Sequence, residues 1–443
     1  MGFCKPMSEE VPLINTKTIS KEELDAQREN AAKVQAVLQS RYTVKPLACV
    51  ITYGCQQNVA DSEHIKGMLA DMGYAFTDDR HKAQFILFNT CAVREHAEDR
   101  VFGNVGALKS YKAEHPDTVI ALCGCMMQQQ HIADRIKQSF PFVDLVFGTH
   151  VVHRLPELLL RTLTRKKRVF ELPDMDGVIA EGVPVVRDDQ RRAWLPIMYG
   201  CNNFCSYCII PYTRGPIRSA PVDVAVSQAQ ELARRGYREI VVTGIEIASW
   251  GADLPGKPAV TELIEAVCTA VPALRVRLGS LEPRIVTEDF CRRLSRLPNL
   301  CPQFHLSMQS GCDTVLQRMR RKYDTARYYE SVCLLRTWFP GCAVTTDMIV
   351  AFPGETEDEF ARSLAFIRKC GFAEMHIFPY SRRPGTPADK MPGQHGNAVK
   401  EARSRAAIAV AEEMSRAYRE ALVGFVQSVL FESVEDGLFT GHA

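Results

Sequence analysis

Tyr199-Gly200-Cys201-Asn202-Asn203-Phe204-Cys205-Ser206-Tyr207-Cys208 follows directly on the apolar run Trp194 to Met198. A strand that runs into three cysteines spaced C-x3-C-x2-C decides how the second half of the chain is read. Thiolates this close together suit a soft iron–sulfur or zinc centre. Three of them can hold three irons of a cubane cluster. No fourth cysteine follows nearby, so one iron would stay open to bind and reduce a cofactor. A structural zinc site would bring paired CxxC units or a histidine, and a ferredoxin-like electron carrier would bring a fourth cysteine.

The text after this loop repeats one pattern. Strand-like runs recur at Glu239 to Thr243, Arg275 to Leu278, Phe304 to Met308, Val344 to Val350 and Glu374 to Phe378, each followed by helical text. Strands alternating with helices imply a parallel sheet. Six such units are too few for the closed eight-fold barrel and predict a partial, open (βα)6 TIM-like barrel, with the cysteine loop at the C-terminal mouth where βα barrels build active sites. Gly-containing strand ends line the same mouth: Thr243-Gly244-Ile245-Glu246, Leu278-Gly279-Ser280-Leu281-Glu282-Pro283, Gln309-Ser310-Gly311 and Ala351-Phe352-Pro353-Gly354-Glu355. Glycine lets a ligand approach the backbone closely. The series predicts a cofactor cleft lined by Gly244, Glu246, Ser280, Glu282, Gln309, Ser310 and Gly354.

The first half is also α/β. Ala48 to Tyr53, Phe85 to Asn89, Thr118 to Leu122 and Val143 to Phe147 are strand-length apolar runs, separated by helical patterns such as Ser62 to Met72 and Glu95 to Glu114. Cys55, Cys91 and Cys125 each follow one of these strands. In a parallel sheet the C-terminal strand ends share one edge, where ligand crevices form, so three cysteines distant in sequence converge and predict a second metal site. The competing reading is that they are buried core cysteines, which are common. Cys123 competes with Cys125 for the third position, since both fall on one face of an extended strand. The remaining cysteines, and His64, His96 and His305, read as structural.

A chain of 443 residues suggests two or three domains, and 46% apolar residues supply sizeable cores. The net charge of +2 neither requires nor excludes a nucleic-acid partner. Basic clusters at Arg161 to Arg168, Arg191-Arg192, Arg234-Arg235 and Arg318 to Lys322 read as solvated faces. Sixteen cysteines in so long a chain do not resemble a disulfide scaffold. No secretory leader and no bilayer-length apolar run is visible, and a cytoplasmic, reducing compartment is expected. The expected organisation is an N-terminal extension over 1–45, opened by a capping box at Ser20 to Glu23, an α/β domain over 46–165 and a linker over 166–190. A barrel core over 191–421 and a truncated β segment over 422–443 with a turn at Asp436-Gly437 complete it.

At these residues the chain resembles radical S-adenosylmethionine enzymes, and within them the tRNA methylthiotransferases. The signatures are Thr52-Tyr-Gly-Cys-Gln-Gln-Asn58, Asn89-Thr-Cys91, Gly124-Cys-Met126, Gly200-Cys-Asn-Asn-Phe-Cys-Ser-Tyr-Cys-Ile-Ile-Pro211, Tyr212-Thr-Arg-Gly215, Gln309-Ser-Gly311 and Phe352-Pro-Gly-Glu-Thr356. The resemblance picks Cys125 over Cys123. It implies two 4Fe-4S clusters, one on Cys201, Cys205 and Cys208 that binds and cleaves S-adenosylmethionine, and one on Cys55, Cys91 and Cys125 that delivers sulfur. It implies methylthiolation at C2 of an N6-modified adenosine 37 in the tRNA anticodon loop, with S-adenosylmethionine as radical source and methyl donor. Electrons would come from a flavodoxin or ferredoxin, and the chain would act as a monomer away from membranes. Up to about Thr149 the text is MiaB-like, the branch acting on isopentenyladenosine. From about Thr243 it is MtaB-like, the branch acting on threonylcarbamoyladenosine. Rival readings are methylthiolation of a ribosomal-protein aspartate and a non-enzymatic iron–sulfur electron carrier. Two residues depart from the family pattern: Ala351 replaces the usual Gly, and Arg320 stands where Asn is common. The family closes with a TRAM β-barrel, of which Gly424 to Ala443 resembles the first strands.

Overall fold

A computed structural model describes residues 19–92, 95–165, 167–173, 178 and 182–443 of the chain. Its strands are β1 (Leu47–Thr52), β2 (Ala75–Phe76), β3 (Phe85–Thr90), β4 (Val119–Gly124), β5 (Leu145–Phe147), β6 (Val169–Glu171), β7 (Arg192–Tyr199), β8 (Arg218–Ser219), β9 (Glu239–Gly244), β10 (Arg275–Leu278), β11 (Gln303–His305), β12 (Ala343–Val350), β13 (Glu374–Pro379), β14 (Leu430–Glu435) and β15 (Leu438–His442).

The first six form one parallel sheet in the order β2-β1-β3-β4-β5-β6. Every residue of β3 and β4 is buried, as expected of parallel strands covered on both faces. Leu87, Ala121 and Phe147 pack on one face and Phe88, Ile120 and Val146 on the other. Two expectations need correction. Val169–Glu171, inside the stretch read as a linker, is the sixth strand of this sheet. The helix Lys21–Arg41 is no loose appendage: Ala31, Val34 and Leu38 are buried in the sheet's core with Leu155 and Leu158 of the helix Leu155–Arg165. Ser20 caps it, its Oγ accepting from the Glu23 N–H at 3.1 Å. Residues 1–18 of the expected extension lie outside the described residues.

The barrel is the six-unit open form. Parallel ladders join β7, β9 and β10, and β11, β12 and β13. The parallel bridges Val276↔Leu300 and Leu281↔Leu306 connect the two groups, and β8 lies antiparallel on β7. Ile240, Val242, Val276, Leu278, Phe304, Val344 and Met348 point to the helical layer and make the core. Alternation then turns Val241, Arg277, His305 and Asp347 to the lumen. The tail is a hairpin of β14 and β15, turning at Asp436-Gly437 with φ of 49° and 79°, as a two-residue hairpin requires. Among the described residues no helix is long and apolar enough to cross a membrane.

Candidate active site

The N-terminal cysteines sit where β1, β3 and β4 end. Cys55 is the N-cap residue of the helix Gln56–Asp71, a position whose dipole favours a thiolate. Gly54, at φ +107°, allows the β1 and β3 loops to touch: a Cβ there would lie 2.6 Å from the Cys91 sulfur. Gly124, at φ +95°, breaks the extension of β4 and turns the chain after Cys123. Cys123 therefore stays in the sheet core, while Cys125 joins a separate buried patch. Asn58, fully buried, ties the loops together. Its Nδ2 donates to the Tyr53 carbonyl at 2.7 Å and the Thr90 carbonyl at 3.0 Å.

The second triplet occupies the loop after β7. The Cys201 N–H donates to the Gly215 carbonyl at 3.1 Å, and the Cys208 N–H to the Cys205 carbonyl at 3.0 Å. Ser206 fastens the loop to the far side of the mouth, its N–H donating to Met319 O at 3.0 Å and its Oγ to Arg318 O at 2.8 Å. Burial first, then Glu246 and the Cys205 thiol, pushes Cys201 up to about 11; burial and the Cys205 thiol push Cys208 up to about 12. Burial also raises Cys125. Thiols held up in this way deprotonate together only against a strong positive partner.

Each triplet already has one guanidinium at its sulfurs. Arg321 donates from Nη1 to the Cys205 sulfur at 3.2 Å. Arg214 donates from Nε to the Cys125 sulfur at 3.0 Å. Three soft donors beside a guanidinium fit an iron–sulfur cluster in each place; Cys55 is exposed, while Cys91, Cys125, Cys201 and Cys205 are buried.

The two triplets meet. Cys125 and Cys201 share one buried patch with Ala92, Ile209 and Ile210, and Cys208 packs against it. The domain interface that brings them together is polar and well paired: Arg187 to Glu63 at 2.6 Å, Arg383 to Glu98 at 3.1 Å, Thr149 Oγ1 to the Thr213 carbonyl at 2.6 Å, and Thr243 Oγ1 to Gln56 Oε1 at 3.3 Å.

The residues expected to line a cofactor cleft divide. Glu246 faces Cys201: its carboxylate accepts from the Ala248 N–H at 3.0 Å and from Asn203 Nδ2 at 3.5 Å, and burial raises it. Glu282 lies within electrostatic reach of Glu246 and pairs with Arg284 at 2.9 Å. Gly244 is closely packed, since a Cβ there would lie 2.6 Å from Met198 Cγ. Ser280 follows β10 at the same mouth, half-buried. Gln309 is held at φ +69° by its N–H to the Asp347 carbonyl at 2.9 Å. Ser310 and Gly354 are held by the protein itself. The Ser310 hydroxyl is turned to Ser363 at 3.3 Å and accepts from the Cys312 N–H. Gly354, at φ +71°, donates to the Gly393 carbonyl at 2.9 Å, and a Cβ on it would meet no protein atom. Asn58, Arg214 and Arg321 were not singled out from sequence, although Asn58 and Arg214 lie inside the quoted motifs.

Both halves of the chain have counterparts among known proteins. Residues 48–148 match uncharacterised protein family UPF0004, and residues 195–367 match the radical SAM superfamily. The chain is 40% identical over 402 residues, 90% of its length and 84% of the relative's, to a tRNA-2-methylthio-N(6)-dimethylallyladenosine synthase of Acetivibrio thermocellus. It is 42% identical over 356 residues, 80% of each chain, to the Clostridium perfringens protein of the same name. Among solved structures, the radical S-adenosylmethionine methyltransferase TsrM from Kitasatospora setae aligns with a TM-score of 0.56 at 13% identity, covering 78% of this chain and 75% of that one. The cobalamin-dependent S-adenosylmethionine radical enzyme OxsB aligns at 0.53 and 11% identity, covering 82% and 60%. At such identities these two speak for the fold.

Proposed function

From the premise that this chain belongs to the radical S-adenosylmethionine tRNA methylthiotransferases, we propose that it places a methylthio group on C2 of N6-dimethylallyladenosine 37 of tRNA. The observation that carries methylthiolation is the shared buried patch of Cys125 and Cys201; the choice of base rests on relatives named for N6-dimethylallyladenosine. A radical generator alone needs one triplet; sulfur insertion needs a second one beside it. Cys201, Cys205 and Cys208 would hold one 4Fe-4S cluster and Cys55, Cys91 and Cys125 another. With S-adenosylmethionine bound, these groups supply a carbon-centred radical, the inserted sulfur and its methyl group.

The chain's own residues do the rest. Glu246 and Glu282 put two carboxylates at the mouth beside Cys201, matched to an ammonium and to ribose hydroxyls. Asn203 and Lys322, joined at 3.2 Å, close one side of the loop. Ala92, Ile209 and Ile210 keep water from the space between the triplets, which protects a reactive carbon centre from quenching. The lumen face of β9 to β13 is left for the base. An anticodon-loop adenosine suits it, since unstacked bases can be turned into a pocket. The reaction belongs in the reducing cytoplasm, with a flavodoxin- or ferredoxin-type electron donor.

Nucleoside mass spectrometry of tRNA from a host lacking its own methylthiotransferases tests the reading. Expression of this chain should convert N6-dimethylallyladenosine to its 2-methylthio form. A methylthiolated threonylcarbamoyladenosine instead would move the substrate to the other branch. Unchanged tRNA nucleosides with a methylthiolated ribosomal-protein aspartate would overturn the assignment.

A further inference from the structure

Arg214 both binds a cysteine of the N-terminal triplet and belongs to the radical-side loop. It ends the short helix Ile210–Arg214 that follows Cys208 directly, and only 3% of it is exposed. Its guanidinium crosses the domain interface. Nε donates to the Cys125 sulfur at 3.0 Å, and Nη2 donates to Asn58 Oδ1 at 2.6 Å and to Asp61 Oδ2 at 2.7 Å. Its carbonyl is held in turn by Arg218 Nη1 at 3.2 Å. Three acceptors fix the plane of the guanidinium, so the N–H on the sulfur is not a rotamer accident. The fork geometry is specific to arginine; a lysine ammonium could keep the charge but not the three directed bonds.

A fixed cation and N–H donor at a cluster sulfur stabilise the more negative, reduced state of that cluster. Hydrogen bonds to the sulfurs and local charge are among the levers that set cluster potentials. We propose that Arg214 is a positioning residue that raises the reduction potential of the cluster on Cys55, Cys91 and Cys125 and fixes that cluster against the radical-side loop. The inference rests on the two-cluster reading above. It assigns to Arg214 a role that the other triplet's Arg321, which reaches Cys205 from the barrel side, cannot fill.

The experiment uses the anaerobically reconstituted full-length chain in a Cys205→Ala background, which leaves only the N-terminal cluster. Electron paramagnetic resonance redox titration is run with Arg214 intact, with Arg214→Gln and with Arg214→Lys. The midpoint should shift negative in Arg214→Gln, with a smaller shift in Arg214→Lys. Equal midpoints in all three iron-loaded chains would overturn the proposal. Should Arg214→Gln fail to fold, the chain with Arg214 intact decides. Grown with guanidino-15N-arginine and reduced, it should show a 15N coupling to the cluster spin, and absence of that coupling overturns the proposal. A Cys205→Ala chain that binds no iron at all would instead sink the two-cluster reading, a distinct result from unshifted potentials.

Discussion

Asn58 shows how much a single buried amide can hold. Its two donated bonds join the β1 and β3 loops, and its Oδ1 takes one arm of Arg214. Asn58→Ala removes three hydrogen bonds and leaves Arg214 and two carbonyls short of partners, so it should cost about 3 kcal/mol. The denaturation midpoint of the metal-free chain measures it. The sequence offered Asn58 only as part of a motif. Its partners lie 5, 32 and 156 positions away, and no periodicity reports a side chain that bonds carbonyls across loops. The cysteines were legible for the opposite reason: each ends a strand, and a parallel sheet brings its strand ends to one edge. Arg321 was hidden because an arginine in a basic stretch is usually solvated, and for Arg214 as for Arg321 only tertiary packing reveals a sulfur beside it.

At the scale of elements, the long buried strands were readable from runs of Val, Ile, Leu and Phe. β2 and β6 span only Ala75–Phe76 and Val169–Glu171, too short to carry a pattern, and β6 hides in charged text. Two local departures from the family pattern acquire a physical meaning. Arg320 and Ala351 both have φ of +56°, in the left-handed region that favours Gly and Asn. Arg320 follows the helix Asp313–Arg318. The Arg321 N–H donating to the Leu316 carbonyl and the Arg320 N–H to that of Gln317 make a Schellman-type end. That turn aims Arg321 at Cys205. Ala351 directly follows β12. Arg320→Asn and Ala351→Gly should each stabilise the chain by ~0.5–1 kcal/mol, read as a raised urea midpoint with unchanged slope. A lowered midpoint would show that the side chains contribute contacts outweighing the backbone cost.

For the whole molecule, the domain interface is where acid sensitivity is expected. His64 and His150 line a small cavity there with Asp61, Tyr199 and Arg214. Burial, then Arg187 in one case and Arg218 in the other, pushes each down to about 4. A histidine kept neutral in the fold contributes stability that is complete above the ordinary value near 6.5. That stability is lost as pH falls from there towards 4, because the unfolded chain binds the proton first. The upper bound is roughly 3 kcal/mol per histidine. Thermal midpoints of the metal-free chain at pH 7.5 and pH 5 should therefore differ, and His150→Gln should reduce the difference. An equal fall in His150→Gln would place the acid sensitivity elsewhere.

The molecule is organised around two cysteine triplets carried by separate domains, which meet where Cys125, Cys201 and Cys208 pack together. In the proposed function radical formation falls to one triplet and sulfur delivery to the other. The measurement that reaches this division most directly compares the reconstituted wild type with Cys91→Ala, using reductant, S-adenosylmethionine and tRNA bearing N6-dimethylallyladenosine. Both 5′-deoxyadenosine and the 2-methylthio nucleoside are quantified. Cys91→Ala should still form 5′-deoxyadenosine and yield no methylthio product. A methylthiolated nucleoside from Cys91→Ala would contradict the account.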